Sequence, residues 1–515
     1  MRLRLLPYAA AGAVLLAACG SADGSGGTGG DAGPPRSGGE VVFSVNIDAQ
    51  SIDAVKCGQN ANWGPCQAVY GTLLNVDPGS GQFEPGMAES FTSDDGKVWT
   101  LTLRTGITFT DGTPFDAGAV VFNWDRAKDP ANLSPGGAIA RSMTYEAVDP
   151  RTVRVTLPTV NWQLPWALYS ELAFIGSPTA VQRAGADFAN APVGAGPFVL
   201  ESWQRGTRMT LDRNAGYWDR PRPYLDRIVF APIGPDDQRL NALRSGDVDI
   251  MVSLLDEHAE RATREGFLDH TLDHVGGSGL RFNFQQGPLV DPDVRLAVAK
   301  LIDAQQISEA FYDGAAPATT WVRDGSRLYD PDAVFPRQDV AGAQALIDGY
   351  LARTGASDVT VTYKLVGGIP VQDQVAQMVQ AQVQRVRGLH LQIVPLEIAT
   401  YLTDFNKGDF ELAVASINGV NPDVLYLYFH SGAAQNYGGY ADPATDAALD
   451  RARGTPDTAE QLAAYREATK HVAANLGQLS WRYQTTHILA REAVHGIVPS
   501  YSSYLRSELV WTGQE

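Results

Sequence analysis

The stretch from Val359 to Ile393 constrains the fold more than any other. Val359 to Val366 reads as a strand, and Val371, Val375, Met378, Val379 and Val386 recur at the spacing of an amphipathic helix closed by Gly388. Leu389-His390-Leu391-Gln392-Ile393 then reads as a second strand. Strand, helix, strand is a βαβ unit, which puts the two strands parallel and the chain in the α/β class. Nearby segments agree. Asp291-Pro292 supplies an N-cap followed by proline at the first helical position, and Val294, Ala297, Val298, Leu301 and Ile302 fall on one helical face. Phe410 to Val414 adds a strand, and Ala459 to Leu476 a helix burying Leu462, Tyr465, Val472 and Leu476.

The earlier part of the chain is richer in strands. Glu40 to Val45 is a run suited to a buried first strand. In Lys97 to Arg104 the residues Trp99, Leu101 and Leu103 alternate with polar ones, behind the turn Asp94-Asp95-Gly96. A further β-type cluster runs from Phe198 to Phe230, and no fixed-period repeat is present.

Ahead of all this, Arg2 and Arg4 precede the apolar run Leu5 to Ala18, the pattern of an export signal. Leu16-Ala17-Ala18-Cys19 resembles the lipobox of bacterial lipoproteins, in which the cysteine thiol takes a diacylglyceryl group and becomes the first mature residue. The resemblance implies a signal peptide over 1–18 and lipid on Cys19. Gly20 to Gly39 holds nine glycines and two prolines, a flexible tether spanning roughly 25 Å on average. No later apolar stretch is long enough to cross a bilayer, so lipid is the expected anchor. The formal charge of −18 becomes −20 without the two leader arginines, which argues against a nucleic-acid partner and for a solvated, monomeric surface. With Cys19 lipidated, Cys57 and Cys66 form an even pair in an oxidising compartment, and a disulfide is expected. Two thiols without a nearby histidine are too few for a metal site.

Six segments follow one another in an order shared with a known group. They are Tyr70 to Leu74 with Pro85 to Ser90; Trp99 to Arg104 with Gly106 to Phe115; Val193 to Phe198; Asn214 to Trp218; Leu243 to Ile250; and Asp291 to Val298. In these the chain resembles the bacterial extracellular solute-binding protein family 5, the peptide/nickel-type family that includes oligopeptide- and dipeptide-binding proteins of ABC importers. The resemblance implies a two-lobed, type II periplasmic-binding-protein-like clamshell with an extra β-rich subdomain. Carried over by motif order, lobe I takes 40–60, 187–275 and 485–515, the additional subdomain 61–186, and lobe II 276–484, with strands crossing between lobes at both ends of that last segment. The implied protein is an extracytoplasmic receptor on the outer face of the cytoplasmic membrane, handing a small peptide or similar solute to a permease and ATPase complex. No cofactor is implied.

The resemblance also suggests where a ligand would touch. Peptide-binding relatives use Trp-x-x-Asp-x-x-Asp-Pro, whose acid meets the peptide ammonium. The matching stretch here is Ala415 to Pro422, with Asn418 in place of the acid and Ala415 in place of the tryptophan. A charge-assisted hydrogen bond is thereby lost, about 1 kcal/mol or more. Either Asp423 compensates, or the ligand is not an unmodified peptide but a metal chelate, glycoside or other small molecule; a regulatory lipoprotein that no longer transports is a further alternative. Trp481 and Tyr483 match positions facing the cleft from a crossing strand, and Asn46, Asp48 and Asn283 match strand ends that meet it. Arg295 is expected to be an ion-pair partner. His270 and His274 have the spacing of a helical metal pair only if Asp269 to Val275 is a helix, and Gly276-Gly277 speaks against that. No Gly-x-Ser-x-Gly, Gly-x-x-x-x-Gly-Lys or His-Glu-x-x-His motif occurs, and the expectation is a binding protein, not an enzyme.

Overall fold

The computed structural model describes residues 33–58, 60–500 and 504–513. The leader, Cys19 and the tether up to residue 32 lie outside the described residues. Ten strands form one sheet, ordered Leu389–Leu396, Val359–Val366, Leu412–Ser416, Leu268–Phe282, Gln478–Ala490, Ile250–Ser253, Glu40–Val45, Arg227–Pro232, Arg208–Arg213 and Phe198–Gln204. The first strand, Glu40–Val45, is central, parallel to Arg227–Pro232 and Ile250–Ser253, and buries Val41, Phe43 and Val45.

Two strands in the middle are unusually long, 15 and 13 residues, and they explain how one sheet serves two bodies. Leu268 to Asp273 faces Ala490 to Thr485; the register then shifts, and Gly277 to Arg281 faces Tyr483 to Gln478. On one side of the shift the neighbour is Ile250–Ser253, on the other Leu412–Ser416. The hydrophobic interior changes with it. Leu272, Ile488 and Ala490 belong to a core with Phe43, Phe198, Phe230 and Val510. Val275, Leu280, Phe282, Leu479 and Trp481 belong to a separate core with Val294, Trp321, Val361 and Val379. Each long strand thus starts in one lobe and ends in the other. A third core, around Trp99, Leu101, Trp124 and Val153, lies against a four-stranded antiparallel sheet of Ala88–Ser93, Val98–Leu103, Thr152–Thr156 and Thr144–Asp149. The architecture is a two-lobed α/β fold with a β-rich subdomain.

The βαβ unit is present, Val359–Val366 pairing in parallel with Leu389–Leu396 across the helix Pro370–Val383. That helix is shorter than its apolar pattern: it ends at Val383, and Val386 is buried from the turn that follows, ahead of Gly388 at φ +79°. Val371, in its first turn, is exposed. The next strand opens at Leu412 instead of Phe410, whose ring stacks on Phe405 with centroids 5.1 Å apart. The late helix is Thr458–Ala474, and Leu476, at φ +60°, is buried beyond its end. Pro292–Leu301 forms as read, capped by the Asp291 carboxylate accepting from the Asp293 N–H at 2.9 Å. Arg295 on it is not an ion-pair partner. Its guanidinium donates to the carbonyls of Leu289 and Val290, in the turn Pro288–Val290 just ahead of the helix, and lies over the Phe284 ring, so carbonyls and an aromatic face take the place of a carboxylate. Gly194 and Gly196 are close-packing glycines: a Cβ on either would come within 2.2 and 2.6 Å of the Val69 backbone.

Cys57 and Cys66 are bonded, with Cα atoms 5.8 Å apart, and clamp the short turn Ala54–Lys56 to the helix Asn60–Tyr70. Closing so short a loop stabilises by about 2–3 kcal/mol through lost unfolded-chain entropy. The double variant Cys57→Ser/Cys66→Ser should therefore unfold at a lower urea midpoint with little change of slope. A midpoint equal to the parent protein's would contradict this account.

Candidate functional site

Leaving the strand Leu412–Ser416, residues 417–423 run across the junction of all three bodies. Gly419, at φ +98°, reaches the register shift of the crossing strands. Its N–H donates to His274 Nδ1 at 2.8 Å, and its carbonyl accepts from the Val275 N–H at 3.0 Å. His274 is buried, and burial pushes its pKa down to about 4, so the imidazole is neutral. Since Nδ1 accepts, the ring proton is on Nε2, which donates to Thr486 Oγ1 at 2.8 Å. Gly276 lets this happen: a Cβ there would sit 2.6 Å from Ile417 Cβ.

Further along the loop, Val420 packs into the core of the first lobe, and Arg327 of the second lobe donates to its carbonyl at 2.8 Å. Asp423 is held by Arg453 through two bonds of 2.8 and 2.6 Å and by the Tyr465 hydroxyl at 3.1 Å. Arg453 in turn stacks 3.3 Å above the centre of the Tyr426 ring. Its carbonyl accepts from the Trp162 N–H of the β-rich subdomain at 2.9 Å. Between that subdomain and the second lobe lies a cavity of about 280 Å³, walled by Phe83, Trp99, Trp162 and Trp166 on one side and Arg327 and Tyr465 on the other.

The residues expected at the site are distributed unevenly around this loop. Asn418 is exposed on it, beside exposed Ser416, whose hydroxyl meets Ser278 Oγ at 2.8 Å. Ser278 also donates to Gln484 at 2.7 Å, giving a small polar cluster on the crossing strands. Tyr483 is half-buried; its hydroxyl lies 3.3 Å from the Thr319 N–H and 3.1 Å from Thr320 Oγ1, with Arg323 over the ring. Trp481 is buried in the second core. Asn46 is exposed directly after the first strand. Asp48 accepts from the Gly206 N–H at 2.7 Å and from Trp203 Nε1 at 3.2 Å, closing a hairpin of the first lobe. Asn283 is buried in a turn: its amide donates to the Gly408 carbonyl and its oxygen accepts from the Gln285 and Gln286 N–H groups. Asp423 is bound up with Arg453, as above. His270 and His274 lie on a strand, where four residues span about 13 Å, so no helical metal pair exists. Among the described residues no group of three potential metal ligands occurs, and no helix is long and apolar enough to cross a membrane.

Arg327, Arg453 and the Trp162–Trp166 segment were not expected at the site. Nothing in the sequence marks an isolated arginine as the one that holds a loop. The only local hint was aromatic density in Trp162-Gln163-Leu164-Pro165-Trp166.

Beside the crossing, on the side of the first lobe, His487 lies between two carboxylates, with Nε2 2.8 Å from Asp256 and Nδ1 2.9 Å from Asp269. Burial would lower its pKa, but the hydrogen bonds to Asp256 and Asp269 and their charges win and raise it to about 9. Arg323, from the second lobe, approaches Asp256 at 3.9 Å and Asp273 at 3.6 Å, so the charged cluster reaches across the junction.

Comparison with known proteins places this geometry in context. The family model for bacterial extracellular solute-binding proteins, family 5 Middle, matches residues 82–439, well over half of the chain. The glutathione-binding protein GsiB of Escherichia coli O1:K1 / APEC is 30% identical over 293 residues, 56% of this chain and 57% of that one. The match thus spans little more than half the length of such curated relatives. Among solved structures, DppA from Helicobacter pylori in complex with the peptide STSA superposes with a TM-score of 0.77 at 24% identity, over 93% of this chain and 99% of that one. NikA from Brucella suis in complex with Fe(III)-EDTA gives 0.77 at 22% identity, over 92% and 100%. Those two likenesses establish the shared fold.

The His487 cluster makes stability depend on pH in a defined direction. A histidine whose folded pKa is raised from the ordinary 6.5 to about 9 contributes fully below pH 6.5 and stops contributing as pH rises through 9. Urea midpoints measured at pH 6 and pH 9.5 should fall for the parent protein, and fall less for His487→Gln. Equal pH dependence in the two would refute the assignment.

Proposed function

Because the chain belongs to the bacterial extracellular solute-binding proteins, family 5, we propose that it is the substrate-binding subunit of an ABC importer, capturing a peptide or peptide-like solute between its lobes and delivering it intact to the permease. The observation that carries this reading is the pair of crossing strands: two lobes with separate cores are joined by antiparallel strands and bridged by the loop 417–423, with Asn418 and Ser416 exposed at the junction. Such a body can populate open and closed arrangements, and a ligand that touches both lobes only when they are closed shifts the balance by its differential affinity. The permease then reads the closed form. This reading gives lobe I 40–60, 187–275 and 485–515, the subdomain 61–186, and lobe II 276–484.

On this reading the chain is a carrier without a catalytic step, a monomer, and attached by lipid on Cys19 to the outer face of the cytoplasmic membrane. The contacts nearest the ligand are Asn418 on the bridging loop, Tyr483 on a crossing strand and Asn46 at the end of the first strand; Trp481, Asp48, Asn283 and Asp423 hold the surfaces that carry them. A non-peptide ligand is the second reading. It is favoured by one observation, that an uncharged Asn418 stands where peptide-binding relatives carry an acid.

A thermal-shift panel of di- to tetrapeptides and non-peptide solutes tests the reading, together with mass spectrometry of whatever co-purifies. A ligand at a hundred times its Kd stabilises by about 2.7 kcal/mol, readily visible as a raised Tm. Stabilisation by peptides supports the first reading, stabilisation by other solutes alone supports the second, and turnover of any of them would end both. For the anchor, labelled fatty acid should enter the parent chain and not Cys19→Ala; equal labelling would remove the lipid from the account.

A further inference from the structure

Within an acidic chain, the cavity between the β-rich subdomain and the second lobe is lined by one charged side chain, Arg327. Its guanidinium donates to the Val420 carbonyl at 2.8 Å and reaches the Ser80 carbonyl at 3.5 Å. The Trp166 ring centre is 5.9 Å away. No carboxylate among the described residues pairs with it. The nearest acid on the adjoining loop, Asp423, is saturated by Arg453 and Tyr465. A second cation, Arg466, donates to the main-chain carbonyl of Arg327 at 3.1 Å. A half-buried guanidinium bonded only to carbonyl oxygens retains N–H donors and an unpaired charge that an anion entering the cavity would meet.

The walls restrict what can accompany that anion. Trp162, Trp166, Phe83 and Tyr465 offer ring faces and edges to a flat apolar group, and about 280 Å³ is room for one aromatic side chain. Gln163 is 5% exposed and lines the cavity; its amide nitrogen donates to the Ala452 carbonyl at 3.3 Å, while its oxygen has no partner among the described residues. That oxygen is a neutral acceptor beside the rings. A cation would meet Arg327 and no acid. A plain hydrocarbon would leave both the guanidinium and the Gln163 oxygen unmet.

We propose that this cavity takes the carboxyl end of a peptide whose last residue is aromatic, with the carboxylate on Arg327, the ring among Trp162, Trp166 and Tyr465, and the last peptide N–H on the Gln163 oxygen. The assignment rests on the peptide reading above and adds the end-group and side-chain class that the receptor selects. Arg327 holds the carbonyl of Val420, two residues past Asn418 on the bridging loop. On this reading selectivity shifts from the ammonium, where the acid is missing, to the carboxylate.

Calorimetric titration of the whole chain with Ala-Ala-Phe, the same peptide with an amidated C-terminus, and Ala-Ala-Ala tests this without altering the protein. The free acid should bind about tenfold or more tightly than the amide, and more tightly than Ala-Ala-Ala. Arg327→Gln should abolish the preference for acid over amide and Arg327→Lys should keep part of it, while Trp162→Ala should erode the preference for phenylalanine. Equal affinity for acid and amide in the parent protein overturns the proposal while leaving a peptide receptor standing. If no peptide binds, titration with 3-phenylpropionate and 3-phenylpropionamide separates the two claims. Preference for the carboxylate that disappears in Arg327→Gln upholds the anion site and removes the peptide reading; no binding of either compound overturns the proposal.

Discussion

The chain passes between the two lobes along the antiparallel pair Leu268–Phe282 and Gln478–Ala490, and the longer break in that ladder is the register shift between Asp273 and Gly277. Backbone groups released by such a shift must find other partners if they are buried. Here they find Gly419: its carbonyl takes the Val275 N–H and its own N–H goes to His274, whose other nitrogen returns to Thr486 on the facing strand. The repair comes from a loop of the second lobe. The conformation of 417–423, and with it the position of Asn418, is therefore tied to the state of the crossing strands.

Much of the fold was legible because periodicity records burial. The βαβ unit, the capped helix Pro292–Leu301, the buried first strand and the Trp99 strand all carry their pattern in adjacent residues. What was misread lies at element ends. Val386 looked helical because it is buried, but it is buried from a turn; Phe410 looked like a strand residue because it is apolar, but its ring is occupied with Phe405. Burial decides which residues are apolar, and the backbone that delivers them to the core is a separate matter. The site was less legible for a related reason. Asn418 could be singled out because a motif frames it. Arg327 and Arg453 act over separations of 93 and 30 residues, on partners that no local pattern identifies.

A contrast of charge runs through the molecule. The chain has 58 acidic against 40 basic residues, yet the buried and half-buried charges at the junction are often cationic. Arg281 is buried against Phe429 and Tyr428 and bonded to the neutral Gln478, and burial lowers its pKa to about 10; Arg327 is lodged among rings and carbonyls; Arg453 stacks on Tyr426. Guanidinium groups suit this use, since they are weakly hydrated, planar, and able to combine ring stacking with carbonyl acceptors. Most acidic residues lie outside, where they keep the surface solvated; those at the junction, Asp423 and the pair around His487, are each met by a cation.

The chain order of the large sheet has a consequence for biogenesis. The first strand, Glu40–Val45, lies beside Ile250–Ser253, whose other edge is covered only by residues 487–490. The second core draws nearly all of its residues from one unbroken span, 275–481, whereas the first needs segments from both termini. The second core can therefore consolidate from one continuous stretch of chain, while the first closes only when segments about 450 residues apart in sequence have met, 40–45 with 487–510. A pairing of such long sequence separation slows consolidation and leaves the edge of Ile250–Ser253 open until it forms.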